Sequence, residues 1–104
     1  MPQIDDPRVQ FFRGWFEQTL PDCRFPAYDV LVLNFDADLY SSTIFVLNTI
    51  ERAIVPGTYI YFDEFNHRFH ELRAFAEFTE RTGMRCALLA ATPCLAQVLF
   101  QRTA

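Results

Sequence analysis

Four carboxylates stand at two places where an apolar run of chain stops. Asp36 and Asp38 close the segment Val30-Leu-Val-Leu-Asn-Phe-Asp-Ala-Asp38, and Asp63 and Glu64 follow Thr58-Tyr-Ile-Tyr-Phe62. Carboxylates gathered in one place repel unless a cation or protons compensate them. An all-oxygen set of this kind suits a hard ion such as Mg²⁺, and a further carboxylate nearby can take a proton from a hydroxyl. Each residue also has a plainer role: Asp38 can cap the helix that follows it. His67 and His70 lie one helical turn apart after the second acidic pair, where imidazole, titrating at about 6.5, could shuttle a proton or simply begin a helix in solvent. Tyr40 follows the first pair and could either touch a ligand or pack under the helix.

For these acids to meet, the two apolar runs must be neighbouring strands. Tyr28–Phe35 is nearly continuous in apolar residues, the pattern of a parallel strand covered on both faces, and Thr58–Phe62 reads as its neighbour. In open α/β sheets ligands collect beyond the carboxyl ends of the strands, where all four acids fall. Between them, Ser41, Ser42 and Thr43 offer cap oxygens to a helix expected to reach Val55, with Leu47, Ile50 and Ile54 on one face and Pro56-Gly57 as its stop. A second helix is expected from Phe69 to Thr82, with Leu72, Phe75, Ala76 and Thr79 inward and Gly83 as its C-terminal stop. Arg85–Ala91 and Ala96–Arg102 read as two strands able to pair antiparallel, and Val9–Phe12 as a short strand preceding the aromatic segment around Trp15.

Composition excludes much. With 104 residues, 51% of them hydrophobic, the chain is expected to form one domain around a small core. A net charge of −4, with nine Arg and no Lys, leaves no basic face for nucleic acid. The absence of Lys also excludes Schiff-base chemistry and a phosphate-loop lysine. Only Gly14, Gly57 and Gly83 occur, so no glycine-rich turn cradles a cofactor phosphate. Cys23, Cys86 and Cys94 lack paired metal-ligand spacing and read as packing thiols. No apolar run approaches the length of a membrane span, and the first residues lack the features of a signal peptide, so the expected location is the cytoplasm, with no membrane partner.

Three segments, in order, carry a resemblance: Gly14-Trp-Phe-Glu-Gln-Thr-Leu-Pro21, Phe35-Asp-Ala-Asp-Leu-Tyr-Ser-Ser-Thr43 and Phe62-Asp-Glu-Phe65. Together they resemble the macrocin O-methyltransferase family of class I S-adenosylmethionine enzymes, from about Val9 to Arg102. The resemblance covers the second half of a typical member. It implies an α/β fold, a partial Rossmann-like methyltransferase sheet of parallel strands with helices and a C-terminal antiparallel hairpin. Residues 1–104 would form a single domain that lacks the glycine-rich cofactor-binding strands. The isolated chain is accordingly expected to be inactive, and either to be completed by an N-terminal half or to self-associate as a homo-oligomer, because loss of the central strands leaves a sheet edge open.

The same resemblance implies the roles. Asp36, Asp63 and Glu64 would bind Mg²⁺, Asp38 would take the proton from the acceptor hydroxyl, and Trp15 and Phe16 would border S-adenosylmethionine. Tyr40 and His67 would face a hydroxylated small-molecule acceptor such as a sugar. Two departures stand out: Glu64 occupies a position where the family more usually has Asp, and Asn34 one where it commonly has a basic residue. Competing readings of Asp36-Ala-Asp38 are the DxD of a haloacid-dehalogenase-type phosphatase or of a metal-dependent glycosyltransferase, and a truncated, non-catalytic module serving only in self-association. The phosphatase needs a basic partner, usually Lys, which the chain lacks. The glycosyltransferase needs an upstream nucleotide-binding part.

Overall fold

A computed structural model describes residues 6–9, 14–22, 28–37, 39–67 and 69–104. The short helix α1 (Phe16–Thr19) leads to the strand β1 (Val32–Phe35), the helix α2 (Tyr40–Thr49) and the strand β2 (Tyr59–Phe62). The helix α3 (Glu71–Thr82) and the strands β3 (Cys86–Ala91) and β4 (Val98–Arg102) complete the order. The sheet runs β1-β2-β4-β3, so the last strand inserts between β2 and β3. β1 and β2 are parallel, with Phe35 opposite Phe62, while β4 is antiparallel to both its neighbours. The α/β class is as expected, and the two C-terminal strands do pair antiparallel, with a bulge between Leu88 and Ala90.

The core lies on one face of the sheet. Ile60 and Phe62 point into it from β2, and Phe35, Leu47, Ile54, Ala74, Phe75, Phe78 and Val98 close around them. Phe62 is its centre, with ring centroids 5.2 Å from Phe35, 5.1 Å from Phe65 and 5.1 Å from Phe75, spacings at which tilted and offset rings attract. The expected inward face of α2, with Leu47, Ile50 and Ile54, is observed.

Four expectations need correction. β1 is four residues long and covered on one face only, with Val30 and Val32 exposed by 59% and 62%. Its apolar run reflected strand propensity and not burial on two sides. On α3 the buried set is Glu71, Ala74, Phe75 and Phe78, whereas Ala76 is exposed, so the inward stripe is rotated from the one expected. The stripe follows the spacing i, i+3, i+4, i+7, which aligns residues on a helix face. None of Ser41, Ser42 and Thr43 caps α2: Leu39 is the N-cap residue and makes no side-chain cap bond. The Tyr40 N–H is instead taken by His70 Nδ1 at 3.1 Å, and Thr43 bonds back to the Leu39 carbonyl from within the helix. Finally, α2 ends at Thr49 and the chain continues to Ala53 as a tighter 3₁₀ turn. Gly83 closes α3 as expected, at φ 74°, in the left-handed region open to glycine. The expected strand at Val9–Phe12 lies, beyond Val9, outside the described residues, as does Cys23.

Candidate functional site

The carboxyl ends of β1 and β2 lie side by side. Because Phe35 pairs with Phe62 in parallel register, the next residues, Asp36 and Asp63, emerge on adjacent strands, and the Asp63 N–H donates to the Phe35 carbonyl at 3.2 Å. Parallel strands run about 4.8 Å apart, which keeps these two acids neighbours. Asp36 is exposed and Asp63 half-buried. The Tyr61 phenol records both charges: burial first, then Asp63 and Asp36, push its pKa above the ordinary value of 10.0. Asp38 lies outside the described residues.

Glu64 is placed differently. The chain bends at residues 63–64, Glu64 is exposed, and its backbone N–H donates to Glu71 Oε1 at 2.9 Å. Glu71 itself is fully buried at the start of α3, so a carboxylate from the helix anchors the loop after β2. Among the described residues, no three His, Cys, Asp or Glu side chains stand together as a metal-holding group, so the expected trio of Asp36, Asp63 and Glu64 is not assembled there. The pair Asp36–Asp63 does fit Mg²⁺ in kind. Both are hard oxygen donors, and Mg²⁺ commonly takes one or two protein carboxylates and keeps waters or ligand oxygens in its remaining positions.

The other expected residues are spread out. Tyr40 turns to α3, where its hydroxyl donates to Glu77 and the Arg73 guanidinium lies 4.1 Å from its ring centroid. His67 is exposed, its ring centroid 4.4 Å from that of His70 and 6.1 Å from that of Phe69. Trp15 is 75% exposed just ahead of α1; Phe16 begins that helix, and its side chain falls outside the described set.

Two shallow grooves of about 290 Å³ each lie nearby, one lined by Asp36 and the other by Tyr61 and Gln97, the two side chains bonded to Asp63. One runs along β1 and α2 and includes Asn34, Asp36 and Val46. The other lies over β2, β3 and β4, with Tyr61, Ala90, Thr92, Gln97 and Leu99 in its walls. Tyr61, Glu71 and Gln97 were absent from the residues expected at the site. Tyr61 reads as one more strand aromatic, although it stands only two residues before Asp63; Gln97 reads as one more exposed polar residue, and only the strand order puts it beside Asp63.

Two helices on one face of a sheet, with acids at the carboxyl ends of its parallel pair, make this an α/β fold. The structure of the O-methyltransferase NovP matches over 96% of this chain and 40% of the NovP chain, with a TM-score of 0.77 and 28% sequence identity. The sequence points the same way: the family model of macrocin-O-methyltransferase (TylF) matches residues 2–92, and the chain belongs to that family. Over 60 residues it is 35% identical to the 8-demethyl-8-(2,3-dimethoxy-alpha-L-rhamnosyl)-tetracenomycin-C 4'-O-methyltransferase of Streptomyces olivaceus. Over the same length it is 37% identical to the demethyldecarbamoylnovobiocin O-methyltransferase of Streptomyces niveus. Each match covers 58% of this chain and 22% of the relative, so the matched part spans under a quarter of the curated proteins it resembles.

Proposed function

We propose that this chain forms the acidic, acceptor-side part of an S-adenosylmethionine-dependent, Mg²⁺-assisted O-methyltransferase acting on a hydroxyl of a sugar or other small metabolite. The observation that carries the reading is the adjacency of Asp36 and Asp63 at paired strand ends in a chain of this family. The tetracenomycin-series relative is named for methylating a position on a rhamnosyl-bearing compound, which favours a sugar hydroxyl. When bound, Mg²⁺ would lower the pKa of a coordinated hydroxyl and S-adenosylmethionine would supply the methyl group. Asp36 and Asp63 would hold the metal, with Glu64 at its outer rim. Asp38 would accept the proton released as the acceptor oxygen attacks the methyl carbon. The acceptor would lie in the groove over β2 and β4, its hydroxyl toward Asp63 and its apolar body on Ala90 and Leu99. Trp15, Phe16, Tyr40 and His67 keep their proposed ligand-facing roles only where further chain or a bound ligand brings them to the strand ends.

The test is a calorimetric titration of the purified chain with Mg²⁺, followed by S-adenosylmethionine at saturating metal. Magnesium binding that falls at least tenfold in Asp36→Asn is the expected result, since a lost carboxylate removes one of two protein donors. Equal affinity in wild type and Asp36→Asn would defeat the metal assignment. The 104-residue chain by itself is expected to transfer no methyl group, and turnover by it alone would overturn the proposal that it needs a completing part.

A second reading, self-association, is favoured by β1. Among the described residues this strand has β2 as its one strand neighbour, and Val32 on its outer face, like Val30 just ahead of it, is exposed. An edge of this kind accepts a further strand from a second copy or from a cofactor-binding half.

A further inference from the structure

Asp63 is held by one of its two oxygens. The Tyr61 hydroxyl and the Gln97 side-chain amide both donate to Oδ1, at 3.4 and 3.1 Å, and among the described residues no donor is directed to Oδ2. Tyr61 reaches it from β2. Gln97 comes from the residue before β4 and would be far from Asp63 in any other strand order.

The loop that delivers Gln97 is closed tightly. The Thr92 N–H donates to the Gln97 carbonyl at 2.9 Å, and the Gln97 N–H donates in return to Thr92 Oγ1, also at 2.9 Å. The Phe65 N–H, two residues past Asp63, holds the Ala96 carbonyl at 2.9 Å and ties this loop to the one after β2. In this loop Cys94 and Leu95 take φ 62° and 57°, the left-handed region that residues other than glycine rarely adopt. An antiparallel pair needs only a two-residue turn, so this strain is not required to join β3 to β4. The same loop presents Gln97 to Asp63.

We infer that Tyr61 and Gln97 are positioning residues that clamp Oδ1 of Asp63 and so aim Oδ2 at the metal. A strand-end carboxylate without such donors turns freely about its last bond, whereas one donor from β2 and a second from the loop before β4 restrict it. Outer partners of this kind set the direction of a ligand's lone pairs, and their loss costs about 10- to 100-fold in metal affinity. The inference rests on the magnesium reading above, and its test separates the two.

Mg²⁺ is titrated calorimetrically into the full 104-residue chain as wild type, Tyr61→Phe, Gln97→Leu and Asp63→Asn, with thermal unfolding recorded for each. Tyr61→Phe and Gln97→Leu are expected to bind about 10-fold more weakly at an unchanged unfolding temperature. The carboxyl-carbon NMR signal of Asp63, assigned by its loss in Asp63→Asn, is expected to shift in both variants before metal is added, which a packing role for the two side chains would not produce. Undiminished affinity in both variants, with Asp63→Asn weakened, would overturn the clamp and leave the magnesium site standing. No binding by the wild type would overturn both. Should Gln97→Leu not fold, Tyr61→Phe, which keeps the ring and removes only the hydroxyl, decides the matter alone.

Discussion

At the residue scale, the acids were legible and their supports were not. An apolar strand ending in Asp36, and another ending in Asp63, can be read from composition alone, because strand residues and solvated carboxylates differ so sharply in hydropathy. His70 carries a role that local reading could not assign. Its ring caps α2 across a gap of thirty residues, taking the Tyr40 N–H where Ser41 to Thr43 were expected to do the work. Helix capping by a side chain contributes about 1 kcal/mol. His70→Ala is therefore expected to lower the unfolding free energy by about 1 kcal/mol in urea titration, whereas Ser41→Ala should change it by no more than about 0.5 kcal/mol, the usual bound for a surface site away from such features.

At the scale of elements, α2 and α3 are joined by a small charged cluster. Tyr40 donates to Glu77, and Arg73, one turn before Glu77 on α3, forms an ion pair with it at 3.1 Å. The Tyr40 hydroxyl first and Arg73 second hold the Glu77 carboxyl below its ordinary value of 4.5. A carboxylate depressed in the folded state stabilises it fully above the unfolded-chain pKa, and that contribution is lost as pH falls through the lowered folded-state pKa. The same bond raises the Tyr40 phenol above 10.0, so its contribution is lost again only as strongly alkaline pH passes the raised value. Wild type is thus expected to melt above Tyr40→Phe at neutral pH, with the difference shrinking as pH falls from 4.5, where Glu77 of the unfolded chain takes up its proton, through the lowered value of the folded state. Melting curves recorded by circular dichroism across that range check it, and a difference that stays constant into acid would contradict the assignment. The inward stripe of α3 belongs to this scale as well. Its rotation toward Glu71 and Phe78 could not be read from hydrophobicity, because a buried glutamate looks polar in sequence and becomes an anchor only when the Glu64 N–H arrives.

At the scale of the molecule, β1 is an edge of the sheet among the described residues. β1 is the outer member of the parallel pair and exposes Val32 by 62%, a pattern natural sheet edges usually blunt with charge. Sedimentation velocity is expected to show concentration-dependent association of the wild-type chain that Val32→Lys weakens. A wild type that stays monomeric at every concentration would count against the self-association reading.

The sequence by itself determined the alternation of strand and helix, the stop at Gly83 and the acids that end the two strands, because these depend on local hydropathy, backbone freedom and short-range spacing. It also held the three motifs that mark the macrocin O-methyltransferase family. Only the tertiary structure decided that β4 inserts beside β2, that Gln97 reaches Asp63, that His70 caps α2 and that Glu71 is buried. Each of those depends on strand order and on contacts between residues far apart in the chain, and neither quantity leaves a trace in local composition.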